Sequence, residues 1–268
     1  MAKGKEVIYY YSDPLHDEFG PSPRTVKAIR GDYAYNRDQW LKKFFDFVSY
    51  RLVMTPIAFI YTKLIRRTKI VNRHLLKEMK KMGAIVYANH THAQGDAFGP
   101  TIHLFPKKVS MVVNSANVSL PLIGNLTKSW GALPLPEDYL ASKNFLKEVG
   151  KRLAAKEVVL IYPEAHLWPY YTLIRPFTAK SFTYPQKYGV KTYALTTTYQ
   201  TKRNGRLKTV VYLDGPFIVK DELTPSEAAQ ALRDEVYSAM VTRSKLSTYQ
   251  KIKYIYTEKK GHESSVCR

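Results

Sequence analysis

The chain has 268 residues, 45% of them hydrophobic, which is ordinary for a globular protein and enough for a real core. Its 42 Lys and Arg against 22 Asp and Glu leave a net charge of +20. That predicts attraction to a polyanionic partner, anionic lipid, nucleic acid, or an acidic carrier or cofactor, with a basic surface that serves only solubility as the alternative. The single cysteine, Cys267, excludes a disulfide framework or a thiolate metal cluster built within one chain, and it suits a cytoplasmic, reducing setting.

Residues 1–10 have no apolar h-region and do not form a signal peptide, and Gly4 is not at the position that myristoylation needs. Residues 2–37 are polar, aromatic and turn-rich, with Pro14, Gly20, Pro21 and Pro23, and are expected to lie as an arm on the main body. Residues 40–65 are the most apolar part of the chain. Lys42, Lys43, Asp46, Arg51 and Lys63 interrupt them, and the unbroken apolar stretch 52–61 is too short to span a bilayer, which takes roughly 20 residues. Pro56 predicts a kink, and Phe44, Phe47, Val48 and Arg51 follow helical spacing. A basic, aromatic, amphipathic helix pair at a membrane interface is the expectation, with a helix packed on the core as the alternative.

From about residue 69 the pattern alternates. Residues 71–81 read as helix, 85–88 and 109–113 as strands, and 120–135 as a short helix followed by a turn or short strand. Leu146, Val149 and Leu153 mark a helix face. The apolar run 158–162 is a buried strand, and 191–199 and 209–213 are further strands. Thr224-Pro225-Ser226-Glu227 is a capping box that opens a helix to about residue 241. The tail 243–260 is basic and rich in Tyr. This order predicts an α/β fold, a largely parallel mixed sheet flanked by helices. The expected division is an arm with a membrane-facing helical segment over residues 1–66 and a catalytic domain over 67–268.

Two strand ends carry candidate chemistry. The first is Asn89-His90-Thr91-His92 with Asp96, directly after the strand 85–88. His90-Thr91-His92 has the spacing that lets two imidazoles reach one zinc, as in a metal-dependent hydrolase. The Asp-His pair that a metallo-β-lactamase-like site places next is replaced by Gln94-Gly95. The other chemistry is a general base held by a carboxylate, which activates a hydroxyl near neutral pH. The second strand end is Tyr162-Pro163-Glu164, followed by His166, Trp168 and Arg175. Pro163 ends the ladder and turns Glu164 towards the same rim. A non-catalytic protein that binds membrane or nucleic acid through Lys and Tyr also accounts for the charge, but it leaves both strand-end motifs unused.

These motifs resemble those of the glycerolipid acyltransferases, the family of 1-acylglycerol-3-phosphate acyltransferases. Asn89-His90 with Asp96 matches the family's Asn-His-(four residues)-Asp, with one residue more between His and Asp. Pro121-Leu122-Ile123-Gly124 with Gly131-Ala132-Leu133-Pro134-Leu135 resembles the second motif. Tyr162-Pro163-Glu164-Ala165-His166-Leu167 resembles the third. The resemblance covers residues 71–213. It implies acyl transfer from acyl-CoA or acyl carrier protein, as substrate and with no cofactor or metal, to a lysophospholipid hydroxyl. It further implies His90 as base, Asp96 as its orienter and His92 as the rival base. To bring His90 and Asp96 together the turn is expected to bulge at Gly95. Glu137 and Leu167 stand where the family has phosphate-binding arginines, so Lys128, Glu164, His166 and Arg175 are the expected acceptor and phosphate contacts. Under this resemblance the partners are an anionic membrane surface, the lysophospholipid and the acyl donor, with no nucleic acid. The expected location is peripheral, on the cytoplasmic face of the membrane.

Overall fold

A computed structural model describes residues 7–20, 26–35, 38–119, 124–220 and 222–258. Pro21 and Pro23 of the arm, Pro121-Leu122-Ile123 of the second motif and Cys267 lie outside the described residues.

The strands, in chain order, are β1 (Val7–Tyr11), β2 (Lys69–Val71), β3 (Ala84–Ala88), β4 (Val109–Val113), β5 (Ala132–Pro134), β6 (Val158–Ile161), β7 (Lys191–Thr201), β8 (Leu207–Phe217) and β9 (Ile252–Tyr256). β2 to β8 form a seven-stranded sheet in the order β2-β8-β7-β3-β6-β4-β5. Its pairs are parallel except β7 with β8. The mostly parallel mixed sheet flanked by helices is the architecture expected from the alternating pattern.

β3 and β6 sit side by side in the middle, and every residue of both is buried. Their sequences, AIVYA and VVLI, carry no polar side chain other than the Tyr87 hydroxyl, as a strand covered on both faces requires. Alternation along β3 splits the core in two. Ile85 and Tyr87 join the layer under helices Tyr139–Ala154 and Pro225–Ser244, with Phe145, Val149, Leu232 and Val236. Ala84, Val86 and Ala88 join the opposite layer with Met79, Leu104, Leu195 and Leu213. The capping box at Thr224 is complete: Thr224 accepts from Glu227 N–H, and Glu227 accepts from Thr224 N–H in return.

The N-terminal helix corrects the expected helix pair. Residues Trp40–Ile65 form one continuous helix of 26 residues, long and apolar enough by length and composition to cross a membrane. Pro56 has no N–H to offer, but the turns Ser49–Met54 and Ile60–Ile65 around it widen to π-type bonding, and Thr55 Oγ1 donates to Tyr50 O at 2.8 Å. The helix therefore runs through the proline. Tyr50, Met54, Ala58 and Thr62, spaced four apart, form its buried stripe; Met54 and Ala58 pack with Ile102, Phe98 and Trp130. The remaining surface exposes Trp40, Phe44, Phe47, Leu64 and Ile65.

A second sheet joins the chain's two ends. β1 lies parallel to β9, so the arm and the tail form a two-stranded strap. Its aromatics grip the third motif: Trp168 is fully buried, stacked on Tyr254 at 5.1 Å and met edge-on by Tyr11 and Phe19. The arm thus lies on the body, as its composition suggests, but by strand pairing with a tail that carries no clear strand signal.

Candidate active site

The carboxyl ends of adjacent parallel strands are where an open α/β sheet places its ligands. β3 and β6 end together there, with Tyr87 in register with Ile161. Beyond β3 the chain passes through Asn89–His92 and enters helix Ala93–His103. The Asn89 amide locks the start of this passage to β7, accepting from Thr197 N–H at 2.8 Å and donating to Thr197 O at 3.0 Å.

His92 is the N-cap of this helix, and its Nδ1 accepts from Gly95 N–H at 3.0 Å. Asp96 stands in the first turn and turns its carboxylate back over the loop. Its Oδ2 accepts from the backbone N–H groups of Thr91 and His92 and from His90 Nδ1, all at 2.8 Å. The extra residue is therefore absorbed before the helix and not in a bulge. Gly95 is helical, and its role is room: a Cβ there would stand 3.2 Å from the His92 ring.

The nitrogens of the two histidines now differ. His90 gives its Nδ1 hydrogen to Asp96, so the lone pair is on Nε2, which meets no partner among the described residues. His92 has its Nδ1 lone pair committed to Gly95 N–H, and its Nε2 reaches Tyr170 Oη at 3.2 Å. Burial, then the Arg66 charge, hold the His92 pKa below its ordinary value.

Glu164 supports the loop from β6. Its carboxylate is buried, accepts from the N–H groups of His90 and Arg175 at 2.9 Å each, and pairs with the Arg175 guanidinium at 3.6 Å. Tyr162 stacks on His90 at 4.5 Å between ring centres and donates to Asp96 O at 2.7 Å.

A cleft of about 490 Å³, counted with its open mouth, adjoins this loop. Tyr61, Arg66, His92, Asp96, Tyr162 and Tyr199 are among its walls. His90 does not line it, but its side chain is 23% exposed and packs on Tyr162, which does. The expected phosphate contacts lie away from these walls. Arg175 requires a correction: its side chain is fully buried, stacked over Trp168 and bonded to His166 O, so no guanidinium surface is left for a ligand. Glu164 is spent on the loop. His166 pairs with Glu18 of the arm at 3.3 Å, and the Lys128 ammonium sits 4.6 Å over the Tyr33 ring. Sequence reasoning gave no site role to Arg66, Tyr162, Tyr170 or Lys251, although Tyr162 stands in the second strand-end motif and Arg66 in the basic stretch that follows the apolar segment. Tyr162 was legible as the last residue of the apolar run, whereas no spacing pattern links Arg66 to Lys251.

Among the described residues no three of His, Cys, Asp and Glu gather as a metal-holding group.

His103, at the far end of the motif helix, is 3% exposed with Nδ1 unpartnered and Nε2 at 3.3 Å from Thr68 Oγ1. Burial, then the Lys63 and Arg73 charges, push its pKa down to about 3. The folded state therefore holds a neutral imidazole that protonates near pH ~6.5 once unfolded. Its contribution to stability is whole above that pH and is lost as pH falls from about 6.5 towards 3, at about 1.4 kcal/mol per unit. Urea unfolding between pH 7 and 5 should show this slope, and His103→Leu should reduce it by about one proton. An identical slope in the variant would remove His103 as the cause.

Comparison with known proteins follows the same lines. A family model described as acyltransferase matches residues 67–198. Residues 67–198 are an acyltransferase-family domain. Its fold is similar to that of the 1-acyl-sn-glycerophosphate (LPA) acyltransferase PlsC from Thermotoga maritima, with a TM-score of 0.51 and 16% identity over 78% of this chain and 84% of that one. A sequence comparison with curated proteins returned no match. The acyltransferase match spans both strand-end motifs, so the loop at His90 and the Glu164 support belong to one acyltransferase domain.

Proposed function

We propose that this acyltransferase moves a fatty acyl group from an acyl thioester, acyl-CoA or acyl carrier protein, to the hydroxyl of a lysophospholipid, with 1-acylglycerol-3-phosphate as the foremost acceptor. The observation that carries this reading is the His90–Asp96 pair with a free Nε2. That nitrogen takes the proton of the acceptor hydroxyl as the oxygen attacks the thioester carbonyl. Asp96 stabilises the imidazolium that forms. As the tetrahedral intermediate collapses, the thiolate leaves and His90 returns the proton to it. No acyl-enzyme is needed. His92 is a helix cap here and not the base, because neither of its nitrogens has a lone pair to spare. Glu164 and Arg175 act from below, holding the His90 backbone.

The test is thioester consumption and product formation with lysophosphatidic acid, other lysophospholipids and simple alcohols. Acyl transfer to none of them would end the assignment. Transfer only to simple alcohols would keep the chemistry and remove the lipid acceptor.

Membrane attachment is part of the same reading. The helix Trp40–Ile65 exposes Trp40, Leu41, Phe44, Phe47, Leu52, Leu64 and Ile65, and Tyr61, Thr62 and Arg66 at its end line the cleft. An interfacial helix would bring the cleft to where a lysophospholipid resides, with its basic flanks on anionic headgroups at about 1 kcal/mol each. The location is then peripheral, on the cytoplasmic face. Sedimentation with phosphatidylglycerol vesicles should show binding, and Phe44→Glu with Phe47→Glu should weaken it at least tenfold, the loss of two buried aromatics at about 1.5–3 kcal/mol each. Unchanged binding would place the contact elsewhere.

A further inference from the structure

We infer that Arg66, Lys251 and Tyr170 form an anion subsite at the edge of the cleft that receives the phosphomonoester of the acceptor. This deepens the acyltransferase reading and rests on it. The residues come from three distant parts of the chain. Arg66 ends the long N-terminal helix, Tyr170 follows the third motif, and Lys251 leads into β9. Arg66 Nη1 donates to Tyr170 Oη at 3.1 Å, and the Lys251 ammonium lies 4.0 Å from the centre of the Tyr170 ring. The same phenol meets His92 Nε2 at 3.2 Å, so the cluster is one side chain away from the Asp96 loop.

Among the described residues, basic side chains without a carboxylate partner are common, Arg51, Arg67 and Arg73 among them; what sets Arg66 and Lys251 apart is that both face the Tyr170 ring. Arg152, Arg175, Arg233 and Arg243 each pair with a carboxylate. Among the described residues no carboxylate comes within 4.0 Å of Arg66 or Lys251, although both converge on one ring. Two unneutralised cations drawn together repel, and an anion between them removes that repulsion. Burial alone would raise the Tyr170 pKa, yet the bonds from Lys251 and Arg66 and their charges outweigh it and lower it, which records the positive field at this spot. The backbone is also set for the purpose. Tyr170 has φ 56°, a left-handed conformation costly for an aromatic residue, and its N–H is tied to Thr91 O at 2.8 Å. That conformation holds the ring centre 5.7 Å from the Arg66 guanidinium carbon and 4.0 Å from the Lys251 ammonium.

A phosphomonoester fits better than a carboxylate because it offers three oxygens and up to two charges to a guanidinium, an ammonium and a phenol. Glu137 and Leu167 stand where arginines were expected, and among the described residues Arg66 is the Lys or Arg that lines the cleft. The alternative source of phosphate is the acyl donor, if that is a CoA thioester.

Two measurements test the subsite. In the first, kcat/KM is compared for lysophosphatidic acid and for uncharged monoacylglycerol, using wild type, Arg66→Gln, Lys251→Gln and the double variant. The ratio of the two should fall at least tenfold in the double variant, as loss of two charge-assisted bonds implies, while the donor KM stays near wild type. Arg66→Lys should recover part of the loss. A raised donor KM with an unchanged ratio would overturn the proposal and give the cations to the donor. An unchanged ratio and unchanged donor KM would also overturn it. The second measurement needs no turnover: inorganic phosphate titrated into the protein should shift the Tyr170 and His92 side-chain NMR signals, and less so in the double variant. No such shift in wild type overturns the subsite. If the shift is present but no acyl transfer occurs with any acceptor, the anion subsite stands and the acyltransferase substrate reading falls.

Discussion

His90→Ala is expected to lower kcat/KM for acyl transfer by about 10²–10⁴-fold, the usual range for removing a general base. The reason is a count of lone pairs. His90 donates from Nδ1 to Asp96 at 2.8 Å and so presents an acceptor at Nε2, whereas His92 has its Nδ1 pair on Gly95 N–H. His92→Ala removes an N-cap, worth about 1 kcal/mol of stability, and leaves the proton-transfer group in place. Its turnover should stay well above that of His90→Ala. Asp96→Asn should approach the His90 variant. An amide oxygen can still accept the two backbone N–H groups, but it no longer carries the charge that steadies the imidazolium. Steady-state kinetics on the three variants, each checked for melting temperature, decides the matter. A His92 variant slower than the His90 variant would transfer the base role to His92.

The central strands of the sheet were legible because they are uniform, whereas the edge strand β2 (Lys69–Val71) was not, since its last residue reads as the start of a helix. The fully apolar runs 84–88 and 158–161 have no stable place except a sheet covered on both faces, and the resulting neighbours carry both motifs. The His/Asp pairing was legible from residue types, but the device that accomplishes it was not. Read as a turn, residues 92–96 required a bulge; they are in fact the cap and first turn of a helix, whose amphipathic signal is weak because Gly95, Gly99 and Pro100 interrupt it. The continuity of the N-terminal helix was hidden for a similar reason. Proline is scored as a break, and only the widened turns around Pro56 show that the ladder can step over it. The strap of β1 and β9 was not legible at all, since it pairs Val7–Tyr11 with Ile252–Tyr256, two segments far apart in the sequence. The same holds for Arg66 and Lys251. Their relation is one of distance in space, and charge pattern along the sequence records only that both are basic.

Arg175→Met is expected to destabilise the protein by roughly 3–5 kcal/mol, the cost of breaking a buried ion pair from one side. In a chain of this size that is on the order of 10 °C in melting temperature. The pair lies beneath the third motif, with the Arg175 and Glu164 side chains 0% and 1% exposed. Burial raises the Glu164 pKa and lowers that of Arg175, so each charge persists only through the other and through the N–H groups that Glu164 accepts. With the guanidinium gone, Glu164 takes up a proton and its hold on His90 N–H weakens from a charged bond to a neutral one. Turnover should therefore fall along with stability, through misplacement of His90. Glu164→Gln combined with Arg175→Met should recover part of the lost stability, because neither charge is then left unpaired in the interior. The acceptor KM discriminates between the two roles open to Arg175. A stability loss at unchanged acceptor KM marks a residue that acts through Glu164 and the loop. A variant as stable as wild type with a raised acceptor KM would instead return Arg175 to the phosphate contacts, and the buried pair would have to open to expose it.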